Sequence, residues 1–372
     1  MKKQIIFLIS IILLSTISAQ IIIQEQPEKI YNVGEIIETS FKLTTSTDLN
    51  PNSFFSTYLL CNGIETQVMQ IPVGNMKAGE EKAFEIPIPI LKEILGRTTG
   101  TCKIKSTLGS IEKEEYEYIL SENFDISDKI VIKIEENKTS FFPEEKIILE
   151  GEALRKNGKP VQGTIEIKVI EKNNSVIEKI DTVKNGYFYL DFSLPKETKA
   201  GKYLVKVDIY EINSKGEKTN TGSTNYNIQI KQVPTNLELI LENNEIEPGT
   251  NLKLKTILHD QTGESIKSES NITIKNENGD AIKQEIKKTE EFFEFPIKYN
   301  EAPAKWEVIA YSNELKTESN FEIKEKQNVE VSLINKTLII ANKGNVTYNK
   351  YVEVKIGNDT LKINVTLAID EE

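Results

Sequence analysis

The chain has a single histidine, His259, two cysteines, Cys61 and Cys102, and almost no arginine among its 372 residues. That supply leaves a zinc site without an adequate ligand set. A Ser/His/Asp site would have to form around His259, which lies in His259-Asp260-Gln261-Thr262-Gly263, a turn-like string between strands. No catalytic residue, metal or cofactor is expected, and the chain does not read as an enzyme; carboxylate-only glycosidase chemistry is the class that composition leaves open. A basic face is also missing. The formal net charge is -11, with Lys and Glu interleaved, so nucleic acid is a poor partner.

The longest apolar run, Ile5 to Leu14, follows Lys2 and Lys3 and gives way to small polar residues ending at Ala19. These are the three parts of a secretory signal peptide over residues 1–19, and the run falls short of the ~20 residues of a membrane span. Ile21, Ile22 and Ile23 extend the apolar character, so an uncleaved N-terminal anchor is the alternative. The protein is expected outside the cell or at its surface. It would meet the membrane only through an uncleaved signal or a missing C-terminal anchor.

Hydrophobic residues make up 38% and charged residues 28%, enough apolar content for several small cores. The rest of the sequence repeats one grammar at a period of about a hundred residues, which predicts tandem β-sandwiches. Phe192, Leu194 and Tyr203 answer to Phe295, Ile297 and Trp306 at constant offset. Ile165, Ile167 and Val169, then Phe188, Leu190 and Phe192, then Tyr203, Val205, Val207 and Ile209 alternate with mostly polar residues. Period two with one apolar face marks strands that cover a core on one side. Asn157-Gly158 and Asn185-Gly186 are hairpin turn signals, and Ile86-Pro87-Ile88-Pro89 cannot be an inner strand. The expected domains are 20–127, 128–232, 233–326 and a partial one over 327–372.

Phe142-Pro143, Gly151, Gly158-Lys-Pro160-Val161-Gln-Gly163, Asn185-Gly186-Tyr-Phe188, Leu194-Pro195 and Gly201-Lys-Tyr203-Leu-Val205 carry a resemblance. Together they resemble macroglobulin-type and related surface Ig-like domains. Residues 233–326 are similar, through Glu247-Pro248-Gly249 and Lys305-Trp306-Glu-Val308. The resemblance implies an all-β fold of tandem Ig-like, macroglobulin-like β-sandwich domains after an N-terminal signal peptide. The reactive thioester of true macroglobulins needs a cysteine, which neither matching segment has. Asn342-Lys-Gly344-Asn345 followed by Val352, Val354 and Ile356 resembles the opening of a cell-adhesion-related (CARDB-like) domain. Its four strand signals, around Val331, Ile339, Val354 and Val365, would leave an open sheet with an exposed apolar face, so either the chain is shortened from a longer one or a neighbour covers the sheet.

Cys61 ends one strand signal, and Cys102 stands where the later copies carry Tyr203 and Trp306. In a sandwich these strands are sheet neighbours, so an exported chain would form a disulfide; two unpaired buried thiols are the alternative. Asn137, Asn173, Asn271, Asn335, Asn345, Asn358 and Asn364 each begin an Asn-x-Ser/Thr acceptor for glycans. Asn276, Glu277, Asn278 and Asp280 offer oxygens to calcium, or form a hairpin turn. Trp306 and Tyr203 share inward parity and read as core, with the Tyr203 hydroxyl tied to nearby backbone.

The expected function is a non-enzymatic stalk, adhesion or protein-interaction module of the cell envelope, meeting other surface proteins or glycans. The Lys-rich, nearly Arg-free composition fits a prokaryote, with archaea favoured. The alternative is a carbohydrate- or peptide-binding module accompanying an extracellular enzyme. That would need exposed aromatics on one sheet face, which the alternation does not obviously supply.

Overall fold

A computed structural model describes residues 19–95, 99–111, 117–135, 138–357 and 359–372. The signal-peptide expectation falls almost wholly outside them, as do Asn137 and Asn358. The chain is all-β. It forms two compact units: Met1–Thr139 with Lys146–Phe192 and Lys202–Ile228, and Ser140–Glu145 with Ser193–Gly201 and Gln229–Glu372.

The first group of strands is β1 (Ala19–Glu25), β2 (Ile30–Asn32), β3 (Ile36–Thr45), β4 (Ser53–Cys61) and β5 (Ile64–Pro72). It continues with β6 (Glu81–Pro89), the single-turn helix α1 (Lys92–Leu95), β7 (Gly100–Ser110), β8 (Glu117–Leu120) and β9 (Phe124–Ser127). They form a sheet β1-β3-β6 and a second sheet β2-β9-β7-β4-β5, in which β8 also pairs with β7. Along β3, Ile37, Thr39, Phe41 and Leu43 point inward at every second position and are buried. Phe84 of the first sheet stacks on Phe55 of the second at 4.5 Å between centroids, so the two sheets close on one core. Pro87 and Pro89 sit in β6, the edge strand, where their missing N–H groups break no inner ladder.

The second group is β10 (Ile130–Ile134), β11 (Ser140–Phe141), β12 (Ile147–Arg155) and β13 (Gly163–Glu171), followed by β14 (Asn174–Val183), β15 (Tyr187–Phe192), β16 (Gly201–Ile212) and β17 (Lys218–Ile230). Its sheets are β10-β12-β15 and β11-β17-β16-β13-β14. Two glycines of the sequence pattern are explained by crowding. A Cβ on Gly151 would lie 2.1 Å from the Lys133 carbonyl, and one on Gly163 would lie 2.3 Å from that of Tyr210.

The third group is β18 (Pro234–Leu241), β19 (Glu245–Ile246), β20 (Asn251–Asp260), β21 (Ser265–Ile266) and β22 (Glu269–Lys275), then β23 (Ala281–Lys288), β24 (Phe293–Pro296), β25 (Ala304–Ser312) and β26 (Leu315–Ile323). Its sheets repeat the plan: β18-β20 with β21 and β24, and β19-β26-β25-β22-β23. In each group a short strand runs parallel to the last strand, as β2 to β9, β11 to β17 and β19 to β26. Phe192 lies opposite Ile147 and Phe295 opposite Leu252, so the constant offset in sequence is a constant register in space. Two packed antiparallel sheets with this strand order are Ig-like sandwiches.

The last strands are β27 (Val329–Ile334), β28 (Thr337–Asn342), β29 (Tyr348–Ile356) and β30 (Asp359–Leu367). They correct the expectation of one open sheet: β27 pairs with β28 and β29 with β30, giving two separate ladders. Apolar side chains do face solvent there, Leu333 at 73% and Tyr351 at 67% exposure. Among the described residues no helix is long and apolar enough to cross a membrane.

Candidate functional site

Inward parity along β12 runs through Ile147, Leu149, Gly151 and Ala153 and ends on Arg155, one of two arginines in the chain. A five-residue turn follows, closed by Arg155 N–H to the Lys159 carbonyl (2.8 Å) and Gly158 N–H to the Arg155 carbonyl (2.9 Å). The guanidinium donates from Nη1 to Glu35 (3.1 Å) and from Nε and Nη2 to Glu211 (both 3.0 Å). Both carboxylates are buried, with side chains 8% and 6% exposed. Glu35 lies between β2 and β3 and Glu211 in β16, so the first and second groups of strands share one ion triad within the first unit.

Amides complete the triad. Asn157 Nδ2 donates to both Glu35 oxygens (2.9 and 2.8 Å), and the Asn32 backbone N–H donates to Glu35 Oε2 (3.0 Å). Asn220 Nδ2 donates to Glu211 (2.8 Å) and to the Val33 carbonyl (2.8 Å), while Asn32 Nδ2 reaches Asn220 Oδ1 (3.1 Å). Burial alone would push the Glu35 carboxyl up, but the Asn32 and Asn157 hydrogen bonds and the charges of Lys159 and Arg155 hold it below the usual glutamate range. Burial likewise opposes the Arg155 charge, and the Glu211 and Glu35 carboxylates outweigh it, so its pKa rises. Buried charges survive only when paired and hydrogen-bonded in this way.

Within the second unit the same turn recurs after β20. Asp260 N–H reaches the Glu264 carbonyl (2.8 Å) and Gly263 N–H the Asp260 carbonyl (3.0 Å). Gln261 then donates from Nε2 to the carbonyls of Thr198 (2.9 Å) and Lys231 (3.2 Å), and its Oε1 accepts from Val233 N–H (2.8 Å). After β28, Asn345 donates from Nδ2 to the carbonyls of Glu301 (2.9 Å) and Lys324 (2.8 Å), and its Oδ1 accepts from Lys326 N–H (2.7 Å). One amide side chain thus ties two separate pieces of backbone to its own turn in each case.

Cys61 and Cys102 are directly opposed across β4 and β7 and joined, with Sγ–Sγ 2.04 Å and Cα–Cα 4.2 Å. His259 corrects its reading as a turn residue: it belongs to β20, where Nε2 meets Glu238 (2.9 Å) and Nδ1 the Gly263 carbonyl (3.0 Å). Tyr203 is buried as expected, but its hydroxyl meets the Glu171 carboxylate where a backbone partner was expected; burial first, then the Glu171 charge and hydrogen bond, push its pKa up to about 12. Trp306, its counterpart, donates from Nε1 to Glu277 (3.1 Å). That contact, and Asn276 Oδ1 accepting from Asn278 and Asp280 N–H, use the oxygens proposed for calcium in a self-contained turn. Among the described residues no cluster of three His, Cys, Asp or Glu could hold a metal ion.

The glycan acceptors divide by burial. Asn173, Asn335 and Asn364 are exposed, and Asn271 is half-buried in β22. Asn345 is corrected: it is 1% exposed and both amide hydrogens are committed to carbonyls, which leaves no room for a sugar. The alternation also hid two aromatics. Tyr187 and Tyr189 flank the inward Phe188 and so face outward, 47% and 45% exposed.

No family model and no curated protein matches the chain. Solved structures align with most of it at low identity. Alpha-2-macroglobulin of Salmonella is 11% identical, covering 95% of this chain and 27% of its own, with a TM-score of 0.24. The native conformation of E. coli alpha-2-macroglobulin gives 11%, 96%, 27% and 0.24 on the same measures. A tetra-tandem repeat from the extending region of a large adhesion protein is 11% identical, covering 95% of this chain and 88% of its own, with a TM-score of 0.34. The chain spans about a quarter of the length of the macroglobulins it matches. The fold assignment rests on the strand pairing above.

Proposed function

We propose that this chain is a non-enzymatic, exported structural module of the cell envelope, in which Ig-like repeats are locked in succession and serve as a spacer that presents surfaces to other envelope proteins. The carrying observation is Arg155 bridging buried Glu35 and Glu211. A joint between flexibly tethered domains has no use for a desolvated ion triad, because such a triad holds only when both sides stay in register. The same reading takes domain limits at 127/128, 232/233 and 326/327, with 327–372 as the opening of a cell-adhesion-related domain. Cleavage after Ala19 and glycans on Asn173, Asn335 and Asn364 belong to the same reading.

Small-angle scattering of the full chain, with and without Arg155→Ala, tests the locked joint. The expected result is a broader distance distribution in the variant; identical curves for two folded proteins would refute it. Surface proteolysis of intact host cells tests export, since a chain protected until lysis would not be in the envelope. A second reading, a peptide- or carbohydrate-binding module, draws on one observation, the outward pair Tyr187 and Tyr189.

A further inference from the structure

The outer face of β10-β12-β15 combines aromatic rings with carboxylates. Tyr187 lies opposite Glu152 and Tyr189 opposite Glu150, while Glu135 joins the Glu150 row through its N–H to the Glu150 carbonyl (3.0 Å). The Tyr187 hydroxyl donates to Glu150 Oε2 (2.8 Å), which fixes the ring beside the acid. Lys133 lies opposite Glu152, and Lys146, close to Tyr189, and Lys179 are both paired with Asp191, so among the described residues no ion pair reaches Glu135, Glu150 or Glu152.

The third group of strands supplies an internal comparison. The register that aligns Phe192 with Phe295 aligns Tyr189 with Phe292 and Glu150 with Lys255. There Lys255 lies over the Phe292 ring at 5.2 Å from its centroid. The third repeat thus covers its outward ring with its own ammonium. At the same place the second repeat presents a carboxylate and leaves the rings uncovered.

We propose that the Tyr187–Tyr189 face binds a cationic peptide segment, whose lysine or arginine side chains stack on the rings and pair with Glu150 and Glu152. This goes beyond the spacer reading and does not depend on the Arg155 joint. Cations are drawn to ring faces, and more strongly where carboxylates add to the negative potential. Glu150, through its hydrogen bond and charge, burial, and Glu135 all raise the Tyr187 hydroxyl pKa, in keeping with that potential. A neutral sugar could use the rings and hydrogen-bond the carboxylates, but it would leave their net negative charge unanswered. A nucleic acid would be repelled.

Fluorescence anisotropy with a labelled oligolysine peptide on the full chain at low ionic strength is the test. Tyr189→Ala is expected to weaken binding about threefold and Tyr189→Phe to restore it, because the ring alone carries the stacking. Glu150→Gln with Glu152→Gln is expected to weaken it about tenfold, and to flatten its salt dependence. Glu291→Gln with Glu314→Gln removes the same charge elsewhere and should change binding less than about twofold. An equal loss in that control, which would mean bulk charge alone, overturns the proposal. So does an unaltered Tyr189→Ala, or capture of a neutral oligosaccharide that Tyr189→Ala abolishes, which would assign the face to sugars.

Discussion

Gln261 and Asn345 make the same three hydrogen bonds 84 positions apart: two donated to backbone carbonyls and one accepted from a backbone N–H. Their partners correspond, since Thr198 and Glu301 lie in the loops before β16 and β25, and Lys231 and Lys324 just past the ends of β17 and β26. A repeated clamp implies a repeated purpose, which is to fix the backbone that leaves one repeat against the turn of the next.

Asn345→Ala should strip a partner from each of two part-buried carbonyls and cost about 1–2 kcal/mol. Asn345→Asp should cost more at neutral pH, because it keeps the acceptor for Lys326 and turns lone pairs toward Glu301 and Lys324. Hydrogen exchange at the Lys326 amide reads the loss directly. Glycopeptide mapping of host protein should find Asn345 unmodified.

Arg155→Ala leaves buried Glu211 without its cation and Glu35 with Lys159 alone at 3.5 Å, a loss of about 3–5 kcal/mol. Adding Glu35→Gln and Glu211→Gln should recover much of it, as neutral amides no longer need the guanidinium. Denaturant unfolding of the single and triple variants checks the order; a triple variant weaker than Arg155→Ala would contradict the account.

The Glu35 pKa is depressed in the folded state, so its contribution is fully present above the ordinary glutamate value of 4.5 and fades as pH falls through the folded value. Acid titration should loosen the first unit in that window, and Glu35→Gln should flatten the profile. His259 behaves oppositely: the Glu238 contact and the Gly263 carbonyl raise its pKa, so its contribution is present below the ordinary 6.5 and lost as pH rises through the folded value. His259→Gln should remove that alkaline limb.

Reducing the Cys61–Cys102 bond, or replacing both by Ser, should destabilise the first sandwich by about 4 kcal/mol, from the loop closed between them. Alkylation without reductant should leave the intact mass unchanged.

Much of the fold was legible because each strand writes its burial in every second residue, and because Pro87 and Pro89 announced an edge. The joints were harder to read. Arg155 and Glu35 are 120 positions apart, and no local pattern relates them. A trace existed all the same. Glu211 extends the inward row Tyr203, Val205, Val207, Ile209, and Asp260 extends Leu252, Leu254, Thr256, Leu258. A charge on core-facing parity demands a partner, and the chain holds almost no arginine to supply one. Tyr187 and Tyr189 were equally visible as the outward residues beside Phe188, since the parity that buries one ring exposes its neighbours.

The clamps of Gln261 and Asn345 read only main-chain atoms on the receiving side. The side chains of Thr198, Lys231, Glu301 and Lys324 are therefore free to drift without loosening the socket. A lineage can duplicate, delete or exchange such repeats and inherit a working coupling each time, provided the amide in the turn is kept.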